Sequence, residues 1–177
     1  MKFEQLLGKT IPAIEDRIGS SFKPSIVKFE DCSMYSNWDY FNSDFFGYTI
    51  RYLSLTTDDK GITSSISIHF PSVIAQPFYN SFTQEYGEPD TIKVVDKTTV
   101  VSEGKYVSEN GDFVSNVKKR ESDLRDGTFE EKPLFMIWEK DGFYIQAYLR
   151  HEMNISEIMF SIDSPPFNIK PTKKNKK

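Results

Sequence analysis

The nine residues Ile62-Thr63-Ser64-Ser65-Ile66-Ser67-Ile68-His69-Phe70 decide the fold. In an extended chain, Ile62, Ser64, Ile66, Ile68 and Phe70 fall on one side and Thr63, Ser65, Ser67 and His69 on the other. One face is almost wholly apolar and its opposite polar, the signature of a half-buried strand in antiparallel sheet. Pro71 stops the strand, since proline cannot donate to a ladder.

Beyond Pro71, Ile74, Phe78 and Phe82 recur every four residues and Tyr86 extends the stripe, which predicts a helix over about Val73 to Tyr86 with one face for a sheet. Pro77 must lie near its start, Gly87 caps its end and Pro89 prevents continuation. On the other side, Asp58-Asp59-Lys60-Gly61 supplies a turn, and Tyr48 to Leu55 reads as strand. At the beginning of the chain, Phe3, Leu7, Ile11, Ile14 and Ile18 are helically spaced. Gly8 and Pro12 split them into two short pieces, with Thr10 as N-cap and Gly19 as left-handed cap. Pro24 to Phe29 is a β-branched run and reads as a strand.

Further along, Ile92 to Val101 is a strand or strand pair. Asn110-Gly111 predicts a type I′ hairpin between Tyr106-Val107 and Phe113-Val114. From Lys118 to Lys132 only Leu124 and Phe129 are large and apolar, so an exposed, mobile loop is expected. Leu134 to Trp138 resumes order, Asp141-Gly142 turns the chain, and Phe143, Ile145, Ala147 and Leu149 alternate inward. Ile158, Phe160 and Ile162 mark the last strand, which Pro165-Pro166 ends.

The expectation is an α+β fold with helices packed on one face of an antiparallel sheet. Residues 1–168 form a single domain, and 169–177 a disordered tail holding five lysines from Lys170 onward together with its neighbours. A duplication is open, with half-repeats 1–70 and 71–168. Pro24-Ser25-Ile26-Val27-Lys28-Phe29-Glu30-Asp31 and Pro89-Asp90-Thr91-Ile92-Lys93-Val94-Val95-Asp96 share Pro, an aliphatic, Lys, a hydrophobic residue and Asp in register, each after a helix ended by glycine. The competing reading is ordinary helix-stop chemistry.

The helix ending Tyr86-Gly87-Glu88-Pro89, leading into strands that include Trp138, resembles the repeat unit of the β-lactamase-inhibitor-protein-like fold. That fold also includes envelope-assembly lipoproteins of the SmpA/OmlA type. The resemblance covers about residues 5–163 and implies two helix-plus-sheet repeats with a role in protein binding. The chain departs from that family in lacking a signal peptide, a lipobox cysteine and paired cysteines, which counts against the lipoprotein role. No functional residue carries over.

Composition narrows the function classes. The chain has 177 residues and net charge -4, and 15% of it is aromatic, unlike disordered chains. Setting aside Lys170, Lys173, Lys174, Lys176 and Lys177 leaves 17 basic against 26 acidic residues, a strongly acidic body. Such a body disfavours nucleic acid and suits a basic protein partner. Cys32 is the single cysteine, so no intrachain disulfide forms, and a cytoplasmic setting is expected. No stretch approaches the roughly 20 apolar residues of a membrane span.

Catalytic, metal and cofactor sites are not expected. His69 and His151 are the only histidines, Cys32 stands alone, the nine glycines are scattered, and Asp58 with Asp59 reads as turn chemistry. The aromatic stretch from Tyr35 to Tyr48 is the constellation that points to binding. Phe41 and Phe46 are expected in the core. Trp38, Tyr40 and Phe45, among Asp39 and Asp44, are expected to be exposed and to form a partner-binding surface. The leading expectation is an acidic cytoplasmic protein-binding module, such as an immunity or inhibitor protein. A small-ligand domain or enzyme with a pocket between sheet and helices, and a structural subunit of a phage or secretion assembly, are the alternatives.

Overall fold

The computed structural model describes residues 1–26, 32–38, 43–107 and 114–162. A short 3-10 turn, Phe3–Leu6, precedes α1 (Ile11–Ile18); β1 (Lys23–Pro24), β2 (Ser33–Asn37), β3 (Asp44–Phe45), β4 (Tyr48–Thr49), β5 (Tyr52–Thr57) and β6 (Thr63–Phe70) follow. Then come α2 (Gln76–Tyr86), β7 (Thr91–Val107), β8 (Val114–Asp126), β9 (Phe135–Lys140), β10 (Phe143–Arg150) and β11 (Ile155–Ser161). Among the described residues nine strands form one sheet in the order β1-β2-β5-β6-β11-β10-β9-β7-β8, and every neighbouring pair is antiparallel. The fold is thus α+β on antiparallel sheet. No helix among the described residues is long and apolar enough to cross a membrane.

The alternation of β6 sets the core. Its Ile66 and Ile68 face Leu55 and Leu53 of β5 on one side, and Phe160 and Ile158 of β11 on the other. The same two rows continue through Ile145 and Ala147 to Trp138 and Met136. All are buried in one cluster with Phe3, Leu6, Ile14, Phe78 and Phe82 from the N-terminal turn and the two helices. The β3–β4 hairpin adds Phe45, which touches Phe3, Phe46, Phe78, Phe82 and Phe160 at centroid distances of 4.7 to 6.4 Å. The Tyr48 hydroxyl accepts from the Ala75 amide at 2.9 Å, tying that hairpin to the start of α2.

The helix signals read from sequence hold. Pro12 and Pro77 lie in the first turns, where no amide donor is lost, and Gly19 takes φ 75 after α1. Gly87 ends α2 at φ 79 and ψ 179, backbone that is essentially open to glycine alone. Its carbonyl accepts from the Trp138 indole at 2.8 Å, joining the helix exit to β9. The turn before β6 is built by Asp58, whose carboxylate accepts from the Lys60 and Ile62 amides.

Three expectations change. Lys118 to Lys132 is a loop only at its end: Lys118 to Asp126 belong to β8, which pairs with β7 from Lys93↔Asp126 to Val107↔Val114, and a 3-10 turn, Phe129–Glu131, lies in the remainder. Both faces of β8 in this ribbon are exposed, so no burial pattern marked it in the sequence. Cross-strand groups hold it, including Thr98 with Ser122 at 2.9 Å and Glu103 with Lys118 at 2.7 Å. The strand expected from Pro24 narrows to Lys23–Pro24, and Ile26 is fully exposed. Phe45 is only 4% exposed, because the hairpin turns its ring into the core instead of toward solvent. The strand residues Val27 to Phe29, the Asn110-Gly111 turn, Asp39, Tyr40, Phe41, Pro165-Pro166 and the 169–177 tail lie outside the described residues.

Two outcomes test this account. Gly87→Ala should lower the stability by about 1–3 kcal/mol in denaturant melts, the cost of forcing a side chain into that backbone region; an unchanged midpoint would remove Gly87 as the constraint. Replacing Asp96 to Asp123 by Asn-Gly should shift the melting temperature by less than about 5 °C, because none of the described side chains of that segment belongs to the core cluster. A molten product would show that the ribbon supports the sheet.

Candidate binding face of the sheet

Residues one step out of phase with the core rows point to the sheet's other face. Across five strands they read Tyr52, His69, Glu157, Tyr148 and Phe135, each directly opposite the next. Trp38, just beyond β2, joins the row: its ring stacks on Tyr52 at 4.0 Å and 23°, and Tyr52 stacks on His69 at 4.0 Å and 11°. At the far end Tyr148 stacks on Phe135 at 4.8 Å, and the Arg150 guanidinium lies 5.2 Å above the Tyr148 ring. Such cross-strand ring pairs stabilise a sheet and hold the side chains rigid.

His69 sits at the middle of the column. Its Nε2 is 2.9 Å from Ser54 Oγ, and its Nδ1 is 3.7 Å from a Glu157 carboxylate oxygen. The tautomer of the imidazole sets which of Ser54 Oγ and Nε2 donates in their hydrogen bond. Burial pushes the imidazole below its ordinary range; Glu157 opposes this, and Arg150 and Arg51 reinforce it. Burial, followed by Glu157, raises the Tyr52 phenol. At neutral pH the row therefore carries a neutral imidazole between two arginines and one carboxylate.

Ser54, His69 and Glu157 stand in the order nucleophile, base, carboxylate used for acyl transfer. Two features depart from a working set. The 3.7 Å separation of His69 and Glu157 exceeds a hydrogen bond. β5 is bonded on both sides, to β2 and β6, so the amides around Ser54 serve the ladders rather than an oxyanion. The adjoining recesses are shallow, about 40 Å³ beside Arg51 and Arg150 and about 220 Å³ beside Ser54 and Met34. What the arrangement does supply is a stiff, amphipathic surface.

The residues expected to bind a partner are divided by the fold. Trp38 is half exposed on this face, whereas Phe45 lies in the core on the other side. Asp44 is exposed and its carboxylate accepts from the Gly47 amide at 3.0 Å, closing the β3–β4 turn. Tyr52, Tyr148, Glu157 and Arg150 were missed, and His69 was read as an ordinary surface imidazole. Their signal was present: they are the out-of-phase positions of strands recognised by alternation, but pairing order cannot be read from alternation. Among the described residues no three His, Cys, Asp or Glu side chains cluster as a metal site. Comparison with models of known families, with curated proteins and with solved structures returns no match.

The lowered His69 basicity has a stability consequence. The unfolded imidazole titrates near 6.5 and the folded one lower, so the folded state is penalised as pH falls from about 6.5 through the folded value. The melting temperature of the native protein relative to His69→Gln should therefore decline across that interval. A pH-independent difference between the two would contradict the burial assignment.

Proposed function

We propose that this protein is a protein-binding module that docks through the face carrying Trp38, Tyr52, His69, Glu157, Tyr148 and Arg150. The observation that supports this is the stacked column of Trp38, Tyr52 and His69, whose outer ring remains 50% exposed. Aromatic and arginine side chains are the residues that most often dominate interfaces. Rings already held by their neighbours lose little freedom on binding. The helices pack on one face of the sheet in this reading and leave the other for the partner. An immunity or inhibitor role follows naturally for a broad, rigid surface that covers another protein. The acidic body favours a basic partner and speeds the encounter, although the row itself holds Arg51 and Arg150 against Glu157. A cytoplasmic setting goes with this reading.

The architecture behind it is, in our reading, a duplication. The chain runs α1, β1, β2, β5, β6 and then α2, β7, β9, β10, β11, and the last strands of the two runs pair antiparallel at the centre. Each run is a helix followed by a four-stranded meander. The β3–β4 hairpin is inserted in the first and the β7–β8 ribbon in the second. This arrangement supports the resemblance to the β-lactamase-inhibitor-protein-like repeat.

The test is capture of partners from the host's lysate on the immobilised protein, then affinity measurement with Trp38→Ala and Arg150→Ala, which sit at opposite ends of the row. Each substitution should weaken the captured complex about thirtyfold or more, the size of an interface anchor of roughly 2 kcal/mol. Full affinity in folded variants would move the interface off this face. The alternative of an assembly subunit is favoured by one observation, the valines left bare on the ribbon: Val100, Val101, Val114 and Val117 are 44 to 58% exposed. Concentration-dependent self-association that ends when the ribbon is shortened would select it.

A further inference from the structure

A second concavity lies where the base of the ribbon meets the ends of β9 and β10, enclosing about 460 Å³. That is the size of a small-molecule site rather than a packing defect. Three basic side chains line it from three separate segments: Arg120 from β8, Lys132 from the loop before β9, and Arg150 from the end of β10. None of the three has a carboxylate within ion-pair distance among the described residues. Along the same ribbon Lys93, Lys118, Lys119 and Arg125 are each paired with an acid, while Lys97 and Lys105, like Arg120, have no ion pair among the described residues. Among the described residues the exposed Glu152 is the one carboxylate that lines the cleft. A site of net positive charge on a body with excess acid is a local exception to the charge of the protein.

The walls between the cations are apolar. Val95 of β7 is 42% exposed there and Met153 is 61% exposed, and Leu134 closes the side. The floor is polar but satisfied, since Thr98 and Ser122 bond to each other. The site is also braced. Lys132 is held in the left-handed region at φ 58 by the Thr128–Glu131 capping box and by its amide bond to the Phe129 carbonyl. His151 Nε2 donates to the Pro133 carbonyl at 2.9 Å, locking the Lys132 loop to the end of β10. Arg150 is steadied by the Tyr148 ring and a 3.8 Å contact with the Met153 sulfur, neither of which uses up its charge. A non-glycine residue in the left-handed region beside a group of basic side chains is where strained backbone commonly serves binding.

We propose that this cleft binds an amphipathic anion, an oxyanion head on an apolar body. The head pairs with Arg120, Lys132 and Arg150, and the body lies against Val95, Leu134 and Met153. A polyphosphate or sugar would leave the apolar walls bare, and a neutral lipid would leave three cations facing an empty cleft. The cleft shares Tyr148 and Arg150 with the proposed binding face, whereas Arg120 and Lys132 belong to the cleft alone and distinguish the two sites.

The probe is decanoate, below its micelle concentration, and the reporter is the full chain labelled with methyl-¹³C methionine. The five methionine signals include Met153 in the cleft and Met34 at the opposite end of the sheet. The Met153 signal is assigned with Met153→Leu. Decanoate should shift it saturably and leave Met34 in place, while decanol and decyltrimethylammonium act at least about tenfold more weakly. Arg120→Gln with Lys132→Gln, both exposed, should weaken decanoate by about tenfold or more at unchanged melting temperature. A Met153 signal that never moves, that moves equally with the cationic amphiphile, or that responds with full affinity in the double variant would overturn the assignment.

Discussion

Ile68 facing Ile158 and Ile66 facing Phe160, across the pair of strands at the middle of the sheet, is the constraint from which the remaining registers follow. A one-residue slip would move both isoleucines of β6 out of the core and turn His69 into it. Burying either isoleucine contributes roughly 2 kcal/mol or more, so the slip is strongly disfavoured. With that register held, β5 and β10 can only align their own apolar residues on the same side. The buried cluster built on these rows takes in Phe78, Phe82 and Ile14 from the helices. The face with the stacked rings is a by-product of the same alternation: it carries the residues out of phase with the core rows, of which Trp38 is half exposed while Ser67, Gln146 and Phe135 are buried.

The two faces therefore differ in chemistry for one reason. On the core side, rings meet mostly edge to face, as Phe45 does with Phe3 and Phe46, which suits close packing in three dimensions. On the open side they stack nearly parallel along a row, as Trp38, Tyr52 and His69 do, because only lateral neighbours are available. The open side also collects the charge of Arg51, Arg150 and Glu157, and the half-burial of His69 among them keeps it neutral near pH 7.

Much of this was legible in the sequence. The alternation of β6, the four-residue stripe of α2 and the glycine and proline stops around both helices were local signals, and the chain obeys them. The aromatic stretch from Tyr35 to Tyr48 was recognised as dense in rings, but which ring faces inward depended on a tight hairpin. Phe46 at φ 51 and Gly47 at φ 81 reverse the chain and bury Phe45. The ribbon escaped for the opposite reason. β8 is solvated on both faces, so Lys118 to Asp126 carries no periodicity and only the partner strand explains it. His69 next to Glu157 joins residues 88 positions apart, a juxtaposition that sheet order alone creates.

The ribbon also determines how the sheet ends. β8 is the last strand in the order, so one side of its 13 residues offers backbone donors and acceptors to whatever approaches. Seven of those residues are charged, of both signs and closely interleaved, and any strand laid alongside would have to strip water from them. The edge is therefore guarded by hydration rather than by a covering element. Addition of another chain there is selective: only a strand with the complementary sequence of charges could replace the water it displaces.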